Sequence, residues 1–146
     1  MEKGEKLYEG RTKIIYSTAE AGRCLLFFKD DISTRAGKKH ATIRNKGIYN
    51  AKISATLFAL LAAAGIPTHF VATAGERELL VKKLKVFPLE FVVRNVVAGS
   101  LARRLGIKEG FQLIEPVVEY YYKRDGLGKP LLSESHLRVL GIVEED

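Results

Sequence analysis

Residues 87–100 read FPLEFVVRNVVAGS and carry the strongest structural signal in the chain. Within them, residues 89–97 are rich in the β-branched and aromatic side chains that favour a strand. The strand leads through a small-residue turn into residues 100–105, which predict a short helix with Ser100 as its N-cap. A strand that passes directly into a helix indicates a fold that mixes both kinds of element.

Arg94 interrupts this apolar strand, and a guanidinium buried without a partner is very costly. Two interpretations are open. In one, the backbone N–H groups around Gly99 and the Ser100 hydroxyl bind an anion at the helix start, and Arg94 forks onto the same phosphate. In the other, Arg94 is salt-bridged and Ser100 simply caps the helix.

The segments before this stretch predict an antiparallel sheet. Residues 7–17 form two β-prone runs around Gly10, which is typical of a hairpin. Residues 23–29 predict a third strand, with Cys24 as an inert core residue. Residues 30–44 are polar and predict a loop. Three consecutive strands favour an antiparallel meander.

Residues 46–64 predict the longest helix, with Asn45 as its N-cap and Gly65 closing it. Apolar residues recur along it at helical spacing, at Ile53, Leu57, Leu60 and Leu61. A second sheet portion is expected from residues 68–123, with strands at residues 68–73, 78–86, 89–97 and 116–123.

A last helix is predicted at residues 134–140, and residues 141–146 read as a loop followed by the acidic first turn of another helix. The expected fold class is therefore α+β, an antiparallel β-sheet with a packed helix over residues 1–85, followed by part of a second α+β layer over residues 86–146.

Composition excludes several classes of protein. The chain has 146 residues, of which 47% are hydrophobic, so disorder is not expected. Its longest apolar run, residues 53–70, is interrupted by Gly65 and Pro67, which excludes a membrane-spanning helix. A single cysteine excludes an intrachain disulfide framework and a Cys-rich zinc site, and it favours a cytoplasmic location.

The formal net charge of +7 suits an anionic partner, whether nucleic acid, membrane or a phosphorylated small molecule. A basic surface that only aids solubility explains the charge equally well. The basic residues are spread in pairs rather than runs, and this distribution argues against a continuous nucleic-acid stripe.

A second phosphate candidate lies in the hairpin at Gly10, Arg11, Thr12 and Lys13, where glycine lets the backbone approach an anion and basic side chains supply charge. An ordinary hairpin turn is the alternative. The spacing of a Walker A loop occurs nowhere in the sequence.

The remaining polar candidates are weaker. His40, His69 and His136 lack metal-ligand spacing. Asp30 and Asp31 are suited to bind a cation or to form a solvated turn. The tyrosines at residues 120–122, followed by Lys123 and Arg124, either stack nucleic-acid bases or pack at a strand edge.

One family shares these stretches in order. They are residues 7–13, 28–31, 45–47, 64–69, 86–94, 98–106 and 133–136. The strongest is two apolar residues, Pro-Leu-Glu, a hydrophobic run, Arg and then Gly-Ser, at residues 86–100. With this pattern the chain resembles the phosphoribosylaminoimidazole-succinocarboxamide synthase, or SAICAR synthetase, family over nearly its whole length.

The resemblance implies a purine-biosynthesis ligase that joins carboxyaminoimidazole ribotide to L-aspartate and hydrolyses ATP, with Mg²⁺ as cofactor, in a homo-oligomer. The sheet of residues 1–85 would cover ATP rather as a kinase N-lobe does. Its phosphates would lie under Gly10, Arg11, Thr12 and Lys13, and its adenine against Lys82 and Leu84. Residues 86–146 would begin a substrate-binding domain that holds the ribotide with Arg94, Gly99 and Ser100.

Two departures from the family pattern stand out. The chain has Lys129 where the family has an aspartate before Pro130. The family's metal ligands lie in a C-terminal segment that these 146 residues do not include, so no metal ligand is assigned here and the isolated chain is expected to be a poor ligase. A non-catalytic binder of phosphorylated purine precursors and a basic nucleic-acid-binding module remain as alternatives.

Overall fold

The computed structural model describes residues 2–33, 40–124 and 126–143. The chain divides into two compact units, Met1–Lys85 and Val86–Asp146. Both units contain antiparallel strands and α-helix, which confirms the predicted α+β class. Within the described residues, no helix is long and apolar enough to cross a membrane.

The first unit is built on a five-stranded antiparallel sheet in the order β1-β2-β3-β7-β6. Its elements are β1 (Lys6–Glu9), β2 (Lys13–Ser17), β3 (Arg23–Phe28), β4 (Asp31–Ser33), β5 (His40–Thr42), α1 (Lys46–Ala63), β6 (Phe70–Gly75) and β7 (Glu78–Lys82). The first three strands form the predicted meander. The expectation that residues 68–123 supply a second sheet is wrong for β6 and β7. Leu79 and Val81 pair with β3 and complete the core of the first unit.

The helix α1 packs on this sheet through small residues and one aromatic ring, namely Ala51, Ala55 and Phe58. A side chain at Gly47 would overlap the carbonyl oxygen of Phe28, so the helix approaches the sheet closely. The bulky residues that predicted the helix from the sequence are exposed to solvent instead, with exposed fractions of 57% for Ile53, 54% for Leu57, 62% for Leu60 and 37% for Leu61.

The start of α1 is capped differently from the prediction. Asn45 has φ 66 and its side chain makes no cap hydrogen bond. Asp30 supplies the acceptor instead, because its Oδ1 accepts from the Gly47 N–H at 2.7 Å and its Oδ2 from the Asn45 N–H at 3.3 Å. The predicted loop at residues 30–44 contains the paired strands β4 and β5, and residues 34–39 lie outside the described part of the chain.

The second unit is built on a three-stranded antiparallel sheet in the order β10-β9-β8. Its elements are β8 (Leu89–Val96), α2 (Ser100–Leu105), β9 (Gln112–Tyr122), β10 (Leu131–Leu132) and α3 (Glu134–Val139). Val97, Leu101 and Ala102 form its core, with Leu113 packed against them. The acidic turn predicted at the C-terminus falls on residues 144–146, outside the described residues.

Candidate functional site

The strand register of the second unit brings Arg94 beside an acidic side chain. Val92 lies opposite Glu119 across the β8–β9 pair, and Arg94 lies opposite Val117. Arg94 and Glu119 are therefore diagonal neighbours on one face of the sheet, a separation that long side chains span. Tyr121, two residues after Glu119, lies on the same face.

Glu119 is the centre of a hydrogen-bonded cluster that we call the arginine cluster: Arg94, Ser100, Arg104, Glu119 and Tyr121. The Oε2 atom of Glu119 accepts from Arg94 Nε at 2.6 Å and from the Tyr121 hydroxyl at 3.0 Å. Its Oε1 atom accepts from a terminal nitrogen of Arg104. Glu119 is 4% exposed and is the one charged residue classed as buried in the described part of the chain.

Burial is the largest single influence on the pKa of Glu119 and raises it, but hydrogen bonds from Arg94, Arg104 and Tyr121 outweigh burial, so the pKa lies below its usual value. The same contacts, with Glu119 first, raise the pKa of Arg94 and of Arg104. The carboxylate and both guanidinium groups are therefore charged at neutral pH.

Ser100 contacts Arg94 and does not cap the helix. Arg94 donates from a terminal nitrogen to Ser100 Oγ at 3.1 Å. Gly99 is the N-cap residue, with φ 56, and no side chain caps α2. The Gly99 N–H donates to Glu109 Oε1 at 2.7 Å. Arg94 is thus salt-bridged, as the second interpretation predicted, while the prediction of Ser100 as N-cap is wrong.

Sequence reasoning missed Glu119, Arg104 and Tyr121 as members of this cluster. The alternation of the strand at residues 116–123 puts Glu119 and Tyr121 on one face, and Arg94 is the basic residue of the neighbouring strand. Only the pairing register, which depends on how the two strands align, shows that these faces coincide.

Lys129 pairs with Glu90 near this cluster, and its backbone has φ 58. Glu90 lies opposite Tyr121 and so shares the face that carries Glu119. The residue that departs from the family pattern is therefore held by a carboxylate of the same sheet face.

The nucleotide candidates of the first unit fall into two places. Gly10, Arg11 and Thr12 form the turn between β1 and β2, and the Gly10 N–H donates to the Lys13 carbonyl at 2.9 Å. Lys13 Nζ lies 5.0 Å from the centroid of the Phe28 ring. Desolvation by surrounding protein atoms, followed by the charge of Lys46, lowers the pKa of Lys13.

Lys82 and Leu84 lie away from that turn. Lys13 pairs with Phe28 at one end of β3, whereas Lys82 pairs with Arg23 at the other end. These ends are about 17 Å apart at the usual rise per residue. Side chains alternate along the strand, so Lys82 projects from the face opposite to Lys13. The structure therefore keeps Lys82 and Leu84 apart from the turn of Gly10, Arg11 and Thr12 and from the adjacent Lys13.

Other polar candidates have structural partners. Asp30 accepts the two amides at the start of α1 and pairs with Arg77 at 3.3 Å, while Asp31 pairs with Lys29 at 2.7 Å. His136 forms a capping box with Ser133 at the start of α3. Among the residues that the structure describes, no group of three or more His, Cys, Asp or Glu side chains could hold a metal ion.

Comparison with known proteins yields one consistent family. The model of the SAICAR synthetase family matches residues 6–146. A phosphoribosylaminoimidazole-succinocarboxamide synthase of Desulfitobacterium hafniense strain Y51 is 52% identical over 145 residues, which cover 99% of this chain and 61% of that protein. The chain therefore spans about three-fifths of the length of such relatives.

Solved structures agree. The enzyme of that name from Ehrlichia chaffeensis superposes with a TM-score of 0.88 at 41% identity, covering 95% of this chain and 59% of the other. A SAICAR synthetase solved in complex with ADP superposes with a TM-score of 0.85 at 46% identity, covering 92% of this chain and 57% of the other.

Proposed function

This chain belongs to the SAICAR synthetase family, and from that premise we propose that it acts as a purine-biosynthesis ligase, which joins carboxyaminoimidazole ribotide to L-aspartate and hydrolyses ATP. Its first unit contributes the sheet that covers the nucleotide. Its second unit contributes the arginine cluster, which binds the phosphate of the ribotide. The single cysteine fits the cytoplasmic setting that we infer for this reaction.

The observation that carries the proposal is the contact of Arg94 with Ser100 in the arginine cluster. Arg94 uses Nε for Glu119 and a terminal nitrogen for Ser100, and a guanidinium has five N–H donors in a rigid plane. The remaining donors and the Ser100 hydroxyl are complementary to the oxygens of a phosphate ester. Two arginines and one carboxylate also leave the cluster with a net positive charge.

The chemistry that we propose proceeds through an acyl phosphate. A carboxylate oxygen of the ribotide takes the γ-phosphoryl group of ATP, and ADP leaves. The amino group of aspartate, having lost the proton of its ammonium form to solvent, attacks the acyl carbon and forms the amide bond, and the second proton that the nitrogen loses goes to the departing phosphate. Inorganic phosphate departs with that carboxylate oxygen. The arginine cluster orients the carboxylate for both steps by holding the ribotide at its phosphate.

The turn of Gly10, Arg11 and Thr12, together with Lys13, is our candidate for the nucleotide phosphates. The relative that was solved with ADP supports a nucleotide in this fold. Lys82 and Leu84 remain candidates for the adenine end of the nucleotide. The described residues include no group of three or more His, Cys, Asp or Glu side chains that could hold a metal ion, and we assign no step to Mg²⁺.

The test is ribotide binding and turnover by the purified 146-residue chain. Calorimetry would measure the Kd for carboxyaminoimidazole ribotide, and a coupled assay with Mg-ATP and aspartate would measure ADP and amide product. We expect Arg94→Ala to weaken ribotide binding by about 10- to 100-fold, because charged hydrogen bonds are lost. Arg103→Ala, at an exposed position of α2 outside the arginine cluster, is the matched control and should bind normally.

Ribotide affinity that does not depend on Arg94 would contradict the proposed site. Binding through Arg94 without turnover would favour the non-catalytic binder of phosphorylated purine precursors. Product formation that Arg94→Ala abolishes would support the ligase directly.

A further inference from the structure

Glu119 is a buried carboxylate with three hydrogen-bond donors around it, and the formation of strand β9 does not by itself explain this environment. It is 4% exposed, and the neighbouring positions of β8 on that face include the apolar Val92. A buried carboxylate loses its hydration, and a buried ion pair is often no more stable than apolar side chains of the same volume. Stability alone is therefore a weak reason for a carboxylate here, and its contacts indicate a different role.

The contacts form a chain that ends at the candidate phosphate site. Tyr121 and Arg104 donate to Glu119, Glu119 accepts from Nε of Arg94, and Arg94 donates from a terminal nitrogen to Ser100. Because the guanidinium is planar, fixing Nε and one terminal nitrogen fixes the direction of every other N–H group. The side chain of Arg94 is 19% exposed, so part of this side chain faces solvent.

We propose that Glu119 is a positioning residue of the ribotide site, which orients the guanidinium of Arg94 so that its remaining N–H groups meet the oxygens of a phosphate ester. Arg104 holds Glu119 through the other carboxylate oxygen, and Tyr121 donates to the oxygen that Arg94 uses. The inference rests on the proposed function, because it takes Arg94 as the residue that binds the ribotide phosphate.

The test compares two ligands that differ only in the phosphate. Glu119→Gln keeps the shape of the side chain and removes its charge. We expect it to weaken binding of carboxyaminoimidazole ribotide about 10-fold or more, and to change binding of the corresponding riboside, which lacks the phosphate, less than about twofold. Glu119→Asp, which restores the charge on a shorter side chain, should recover part of the lost affinity.

Two further measurements separate positioning from a structural role. In an Arg94→Ala background, Glu119→Gln should cause no additional loss of ribotide affinity, since a residue that acts only through Arg94 has nothing left to orient. Glu115→Gln removes a charge from an exposed position of the same strand and should bind both ligands as the unmodified chain does.

The outcomes are distinct. A chain that binds no ribotide, or binds it independently of Arg94, overturns the proposed site and this inference with it. A chain that needs Arg94 but binds normally with Glu119→Gln overturns the inference alone. If Glu119→Gln weakens the binding of ribotide and riboside equally, or if its effect adds fully to that of Arg94→Ala, Glu119 has a structural role and the inference is overturned.

If Glu119→Gln does not fold, Tyr121→Phe replaces it in the same test, because this substitution removes only one donor to Glu119. A loss of ribotide affinity of about twofold to fivefold, with riboside affinity unchanged, supports the positioning role. A loss of this size corresponds to roughly one neutral hydrogen bond. Unchanged ribotide affinity in the folded Tyr121→Phe variant overturns the proposal that Glu119 orients Arg94.

Discussion

His69 shows how a single side chain makes the stability of the first unit depend on pH. Its ring meets Phe58 edge to face, with centroids 4.9 Å apart, and the residue is half-buried. Burial, and then the charge of Lys13, lower the pKa of His69. The unfolded chain therefore binds a proton at this histidine at a higher pH than the folded chain does.

We expect the free energy of unfolding to fall as the pH drops below about 6.5, the ordinary pKa of histidine. The contribution is fully present above that pH and is lost progressively toward the lower pKa of the folded state. Urea unfolding between pH 8 and pH 5 measures it, and His69→Phe should flatten this part of the profile. His40→Gln is the control, and an equally flat profile for it would contradict the assignment to His69.

Gly47 is a second position where one residue decides a contact. A β-carbon there would overlap the backbone carbonyl of Phe28, which cannot rotate away as a side chain does. We expect Gly47→Ala to lower the free energy of unfolding by about 1–3 kcal/mol through overpacking, despite the better helix propensity of alanine. Lys52→Ala, on the exposed side of the same helix, should not destabilise the chain in the same urea titration.

At the scale of elements, the long helix α1 depends on a residue far from it in sequence. The amides of Asn45 and Gly47 have no acceptor within the helix, and both donate to Asp30, which lies between β3 and β4. The hydrogen bond from Gly47 is the largest cause that lowers the pKa of Asp30. The link between β3 and β4 thus supplies the N-terminal cap that the side chain of Asn45 does not.

Substitution of Asp30 should therefore unfold the chain more easily. We expect Asp30→Ala to lower the melting temperature more than Asp30→Asn, since asparagine keeps an acceptor oxygen. The contribution of the charge is present above the ordinary aspartate pKa and is lost as the pH falls through the lower folded value, so Asp30→Asn should converge with the unmodified chain in acid, while Asp30→Ala stays less stable. Asp31→Ala is the control, and a loss as large as that of Asp30→Ala would contradict the capping role.

At the scale of the whole molecule, both units leave large apolar side chains in contact with solvent. In the first unit, these lie along α1 at Tyr49, Ile53, Leu57, Leu60 and Leu61. In the second unit, they lie on the sheet face opposite the arginine cluster, at Phe91, Val93 and Val118. Contiguous apolar surface of this kind promotes association in water.

We expect the 146-residue chain to self-associate as its concentration rises, and the double substitution Leu57→Gln/Leu60→Gln to reduce this association. Sedimentation velocity over a range of concentrations measures it. The free energy of unfolding should change by less than about 0.5 kcal/mol per exposed site. Thr56→Gln, an exposed polar position on the same helix, is the control. Undiminished association of the double variant would show that α1 is not the surface involved.

Local patterns in the sequence predicted the strands of the meander, the helices α1, α2 and α3, and the α+β class, because hydrogen bonds and side-chain periodicity within one segment specify these elements. The family also followed from contiguous stretches, above all residues 86–100, and the comparisons confirm it. The nucleotide and ribotide residues stay predictions that the experiments above address.

Contacts between distant segments decided the rest. The spacing of bulky residues predicted α1, but its small residues are the ones that contact the sheet. A helix packs closely against a sheet only where its side chains are short. The sequence placed Arg94 in an apolar strand. It did not show that β8 and β9 align so that Glu119 accepts a hydrogen bond from Arg94 Nε. A shift of one residue in that register would turn Glu119 to the other face, and no local pattern specifies the alignment of two strands that are distant in sequence.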